Sequence, residues 1–169
     1  LFKEYDLLSV DRAQVFKTMT SSGTTGQSVS KIFLDRDTSS NQTRALTKLV
    51  SSFIGKKRLP MLVIDSKAVI KDRSLFSARG AGILGFSMLG YDVTYALDDQ
   101  MRIDVPLIQG FLEKHRDEQI LLFGFTFVIW EHFCNALKTV GIRLDLDNGI
   151  MIHGGGWKRL IEEAVDNDV

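Results

Sequence analysis

The alternation of strand-length and helix-length segments predicts an α/β fold, a layered and mostly parallel sheet flanked by helices. Apolar runs short enough to be strands recur at 59–65, 91–97, 119–123 and 149–153. Helical spacing of apolar residues fills the intervals between them. The run 59–65, LPMLVID, lacks polar alternation, as expected of a strand buried on both faces of a parallel sheet. Such an order calls for right-handed crossovers, with ligands beyond the carboxyl ends of the strands.

Each element has a local reason. The opening stretch to Lys17 mixes charge with Leu7, Leu8, Val10, Val15 and Phe16, and suits a short helix or loop. Segments 15–20 and 29–34 read as strand, tight loop and strand, because Ser, Gly and Thr fill the gap. From Thr38 to Ile54 a Ser/Thr-rich start leads into Ala45, Leu46, Leu49, Val50, Phe53 and Ile54 on one helical face, and Gly55 supplies the stop. Residues 76–89 form a Gly-rich apolar segment of helical length, and 91–97 (YDVTYAL) is rich in β-formers.

Asp104 can cap the next helix, with Pro106 in its first turn and Ile108, Phe111 and Leu112 along one side. Thr126 can cap another, with a buried stripe of Phe127, Trp130, Cys134, Leu137 and Val140 closed by Gly141. A last helix is expected over 157–165.

At 169 residues the chain can bury one sizeable core, and a single domain over 1–169 is the simplest layout. Lys plus Arg equals Asp plus Glu at 21 each, so no net field draws the chain to nucleic acid or an anionic membrane. The single Cys134 allows no intramolecular disulfide and fits a reducing, cytoplasmic compartment. No apolar run approaches the roughly 20 residues that span a bilayer. A start at Leu1 without Met points to a fragment or a processed product.

The segment with most chemistry is TSSGTTGQ at 20–27. Ser21, Ser22, Thr24 and Thr25 offer hydroxyls, while Gly23 and Gly26 let main-chain N–H groups converge, which makes a phosphate cradle. A flexible hairpin loop with no ligand is the alternative. A P-loop lysine is absent, because Gln27 and Ser28 follow Gly26, and no G-x-G-x-x-G occurs nearby. Gly154, Gly155 and Gly156 after His153 either let a ligand approach the backbone or make a tight strand-to-helix connection.

Together SSGTTGQSVSKIFLD, an early helix with Gln42 and Ala45–Leu46, RGAGILGFSMLG at 79–90, FGFTF at 123–127 and HGGGWKRL at 153–160 resemble the LuxE-type acyl-protein synthetases, within the adenylate-forming superfamily. The resemblance runs from about Val15 onward. It implies ATP-dependent activation of a fatty or other apolar carboxylate to an acyl adenylate, with Mg²⁺, and transfer of the acyl group to a thiol. An acyl-reductase partner is implied as well. Ser21, Ser22, Gly23, Thr24, Thr25 and Gly26 would hold the ATP phosphates, and His153, Gly154, Gly155 and Gly156 would lie against the adenine and the acyl pocket.

The sequence departs from that pattern at several points. Ser28 and Val29 stand where many members have Pro-Lys, and the aromatic-Gly-x-Thr-Glu motif, the ribose-binding Asp and the small C-terminal domain have no counterpart. These departures predict a partial adenylate-forming domain that is inactive alone. No catalytic residue is assigned. The family's acyl-bearing cysteine would lie beyond Val169, and Cys134 reads as a small core residue. Asp98–Asp99, Asp145 and Asp147 lack partners at ligand spacing, and His115, His132 and His153 give no zinc pattern. A contrasting function is a non-catalytic α/β domain that binds nucleotide weakly or serves as an interaction module.

Overall fold

The computed structural model describes residues 4–20, 30–71 and 78–165. The chain divides into two compact units, Leu1–Lys57 with Ile70–Leu89, and Arg58–Val69 with Gly90–Val169.

In the first unit, Asp11 caps a 3-10 turn at Arg12–Gln14, and the strands β1 (Lys17–Thr20) and β2 (Lys31–Leu34) follow. They pair antiparallel, from Lys17 opposite Leu34 to Thr20 opposite Lys31. The Asp6 carboxylate meets Arg12 at 3.0 Å and Lys31 at 3.4 Å. Helix α1 spans Arg36–Ile54 and is capped by Asp35, whose Oδ1 accepts from the Thr38 N–H at 2.7 Å. The Ser/Thr-rich start expected from the sequence is therefore already inside the helix. A carboxylate can accept from the free N–H groups and also favours the positive end of the helix dipole.

Only part of the expected apolar face of α1 is covered. Val50 and Ile54 are buried and Leu46 half-buried, whereas Leu49 and Phe53 are 63% and 72% exposed. At 100° per residue, six apolar positions span an arc wider than the half-buried line of Ser39, Thr43 and Leu46 that leads to Val50. Gly55 ends the helix at φ +81°, as expected of a glycine stop. Helix α2 is a single turn at Ala68–Lys71, and α3 covers Ala78–Ser87 with Ile83 fully buried.

The second unit holds the parallel sheet, in the order β4-β3-β5-β6. Its strands are β3 (Leu59–Ser66), β4 (Gly90–Leu97), β5 (Ile120–Phe125) and β6 (Gly149–Gly154). All three pairings are parallel. This is the α/β fold that the sequence predicts. Leu62, Ile64, Ala96, Ile120 and Leu122 form one cluster with Ile108 and Phe111 of α4 (Val105–Lys114), and with Ile129 and Phe133. The alternate residues Met61, Val63 and Leu121 are fully buried too, so the strands read as continuous apolar runs. Asp104 caps α4 through the Leu107 N–H at 3.0 Å, and Pro106 sits in its first turn.

The helical stretch over 126–140 departs from expectation. Phe125, not Thr126, holds the N-cap position of α5 (Thr126–Val128), a π-helix follows over Ile129–Cys134, and α6 spans Asn135–Val140. The Asn135 N–H reaches the Trp130 carbonyl, five residues back, so this turn carries one more residue than an α-turn. The buried line runs through Val128, Ile129 and Phe133 instead of Phe127 and Trp130, and Val140 is exposed. Gly141 closes the stretch at φ +68° as predicted. The expected last helix is a 3-10 helix over Lys158–Glu163, broken at Leu160 by φ −91° and ψ 19°.

Candidate functional site at the carboxyl edge of the parallel sheet

The connection after β3 leads to β4 on one side, while β5 leads to β6 on the other, so the strand order switches direction between β3 and β5. Ligands of open parallel sheets bind outside the carboxyl ends at such a switch. Here those ends present Asp65 and Ser66, Leu97, Phe125 with Thr126, and His153 with Gly154. Register brings Gly124 opposite His153 and Phe125 opposite Gly154.

A side chain from the next element stitches the edge together. Thr126 Oγ1 lies 3.2 Å from the carbonyl oxygens of both Gly154 and Gly155, and 3.1 Å from His153 Nδ1. Carbonyls only accept, so the single hydroxyl proton is shared between them. His153 Nδ1 shares a hydrogen bond with Oγ1 whose direction follows the ring tautomer, and Nε2 is the ring atom not engaged by Thr126.

The glycines of this turn differ in what they provide. Gly155 has φ +79°, and a Cβ there would stand 3.2 Å from Phe125 Cδ1. A Cβ on Gly154 or Gly156 would meet nothing within 4 Å among the described residues, which leaves the backbone there open on their side. Replacing Gly155 with alanine should cost about 1–2 kcal/mol from the left-handed backbone alone. It should also shift the His153 ring signals in NMR, because the turn that carries the Thr126 bonds must move.

Beside the turn lies a cleft of about 120 Å³ lined by Thr126, Ile129, Trp130, Met151, His153 and Trp157. The indoles of Trp130 and Trp157 meet edge to face, 5.4 Å between centroids and 76° between planes. At the β3 end Asp65 is fully buried, its Oδ1 accepting from the Ser66 N–H at 2.7 Å. The Ser66 hydroxyl donates to Asp99 at 3.4 Å and accepts from the Ala68 N–H at 3.1 Å. The Asp98 carboxyl is held low chiefly by the Arg102 backbone N–H, aided by the Arg102 side chain and the Gln100 N–H against partial desolvation.

Of the residues picked from sequence, the structure gathers His153, Gly154, Gly155 and Gly156 at this edge. Ser21, Ser22, Gly23, Thr24, Thr25 and Gly26 lie outside the described residues, between the paired strand ends Thr20 and Lys31. Thr126 was read as a helix cap, and its bonds to β6 have no local signature because the partners are 27 to 29 residues away. Trp157 and Met151 carried no signal of a shared cleft. Burial pushes the Cys134 thiol up, with Lys138 opposing, which disfavours the thiolate a nucleophile needs.

Among the described residues no helix is long and apolar enough to cross a membrane, and no cluster of three or more His, Cys, Asp or Glu can hold a metal ion. Comparison with curated proteins gives no match, and comparison with solved structures gives none. The family model described as "Acyl-protein synthetase, LuxE" matches residues 1–169, the whole chain. With that match added to the resemblance carried by its glycine and hydroxyl motifs, the chain belongs to the LuxE acyl-protein synthetase family.

Proposed function

We propose that this chain supplies the nucleotide-binding part of an ATP-dependent acyl-activating reaction. In that reaction a fatty or other apolar carboxylate becomes an acyl adenylate and is then transferred to a thiol. Residues 1–169 act in this reading as part of an adenylate-forming domain. The observation that carries it is the His153–Gly156 turn at the carboxyl edge, where Gly154 and Gly156 leave the backbone open and Thr126 fixes the turn.

Ser21, Ser22, Gly23, Thr24, Thr25 and Gly26 hold the phosphates through hydroxyls and main-chain N–H groups, donors that match phosphate oxygens. Bound ATP supplies an electrophilic α-phosphorus and pyrophosphate as the leaving group. Mg²⁺ arrives with the phosphates, as it commonly does when a protein offers few carboxylates of its own. The turn at His153, Gly154, Gly155 and Gly156 lies in this reading against the adenine and the acyl pocket. The setting in this reading is cytoplasmic, with an acyl-reductase as partner.

A nucleotide titration tests the phosphate assignment. Thr24→Val combined with Thr25→Val should weaken ATP by about tenfold or more and AMP much less, since each lost hydroxyl bond to a charged oxygen is worth about 1.5–3 kcal/mol. Equal losses for ATP and AMP would remove the loop from the outer phosphates. A non-catalytic domain would bind nucleotide without supporting carboxylate-dependent chemistry in any longer form of the protein.

A further inference from the structure

The chain has two tryptophans, and both stand at the cleft beside the His153–Gly156 turn. Trp130 arrives there because it lies about a quarter-turn off the buried line through Ile129 and Phe133. Three contacts then hold it, one of them from the cleft's other indole. Its Nε1 donates to Glu163 Oε2 at 3.4 Å, the Lys138 ammonium lies 4.7 Å from its ring centroid, and the Trp157 edge meets it at 5.4 Å. A large flat side chain held by a hydrogen bond, a cation and a second ring is a preorganised wall, so a ligand pays little to order it.

The dimensions limit what can enter. An apolar cavity of about 150 Å³ in another protein takes one benzene. A cleft of about 120 Å³, lined by two indoles, Ile129 and Met151, has room between them for one ring or a short methylene segment. A fused bicyclic group, a nucleobase such as adenine included, does not seat fully between those side chains unless an indole moves. The polar atoms of the cleft, on Thr126 and His153, sit on the side of the turn, so the apolar end of a ligand faces the indoles.

We propose that Trp130 is a specificity-determining residue: with Trp157 it sets the girth of the apolar part of the carboxylate, admitting an unbranched methylene segment or a single ring and rejecting a branched or caged group. This rests on the reading that the carboxyl edge is the substrate side of an acyl-activating site. The test contains no nucleotide, so a failure of the phosphate assignment leaves it legible.

Because the chain has two indole N–H groups, ¹⁵N NMR of the 169-residue chain gives two indole signals, both from this cleft. Titration with millimolar hexanoate should move both signals saturably, and 1-adamantanecarboxylate should move neither. In Trp130→Ala the order should reverse, the caged acid gaining about tenfold or more over wild type as read at Trp157, the scale by which pocket volume discriminates among apolar groups. Trp130→Phe should keep the wild-type order. If Trp130→Ala does not fold, Trp157→Ala opens the same cleft from its other wall, with Trp130 as reporter and the same reversal expected. Failure of hexanoate to shift either wild-type signal would overturn the proposal. So would an unchanged ratio between the two acids in whichever alanine variant folds.

Discussion

Replacing Gly90 with alanine lowers the midpoint of thermal unfolding by roughly 6–12 °C, the equivalent of about 3 kcal/mol at this chain length. Gly90 opens β4, pairs with Leu59 on β3, and accepts a hydrogen bond from Arg58 Nε at 2.6 Å. A Cβ built there stands 2.5 Å from the Met61 Cβ and 2.8 Å from its sulfur. Met61 is fully buried in the central strand. The sulfur can swing, but a Cβ cannot move without its backbone, so one of the two strands must shift, and the cost belongs at the upper end of overpacking. Gly110 is the control: it lies within α4, a Cβ there meets nothing within 4 Å, and Gly110→Ala should be neutral or stabilise by about 0.5–1 kcal/mol. Calorimetry on the two variants checks the contrast.

The second large effect belongs to His115, at the C-terminal end of α4. Its ring is buried, packs 4.9 Å from the Phe111 ring and edge-on to Tyr91, and holds one carboxylate on each nitrogen. Nδ1 is 2.7 Å from Glu118 Oε1 and Nε2 is 2.7 Å from Asp92 Oδ2. Lys114 also reaches Asp92 at 2.7 Å, and the Tyr91 hydroxyl donates to Glu118. Burial alone pushes the His115 imidazole down, but hydrogen bonds donated by the ring to Glu118 and Asp92 outweigh it and hold the ring above its ordinary value. Lys114 first and His115 second hold Asp92 low, while His115 first and Tyr91 second hold Glu118 low.

The signs set a pH window. A ring raised above 6.5 contributes its full stabilisation below that value, and loses it as pH climbs through the raised folded-state value. Carboxyls depressed from 3.8 and 4.5 contribute above those values, and lose it as pH falls through their lowered ones. The cluster therefore stabilises most between pH 4.5 and 6.5. His115→Ala should cost about 2–3 kcal/mol, mainly lost ring packing, because the side chains of Asp92 and Glu118 are 36% and 48% exposed and regain water. His115→Gln should flatten the alkaline limb of the stability curve. Urea unfolding at pH 6 and pH 8 separates these outcomes: the loss in His115→Ala should be larger at pH 6, and equal losses at both pH values would mean that folding does not raise the ring.

Much of this architecture was legible because its causes are local. The apolar run at 59–65, the Asp104 and Pro106 start of α4, and the glycine stops at Gly55 and Gly141 each follow from residues within one turn or one strand. What escaped was non-local. Ile129 and Phe133, not Phe127 and Trp130, join the cluster formed with the sheet, a choice made by packing against β3, β4 and β5 that periodicity alone does not encode. Leu49 and Phe53 followed the apolar period of α1 yet remain exposed, since periodicity marks a face without saying how much of it is covered. At the candidate site the glycines after His153 stood out as a motif, while Thr126, Met151 and Trp157 join them through contacts made across the sheet edge.

The most direct measurement is ATP–pyrophosphate exchange by the longest natural form of this gene product, with and without added hexanoate or a longer unbranched fatty acid. Carboxylate-dependent exchange that falls with Thr24→Val and Thr25→Val is the result predicted. Exchange independent of any carboxylate, or nucleotide binding with no exchange at all, would contradict the acyl-activating role.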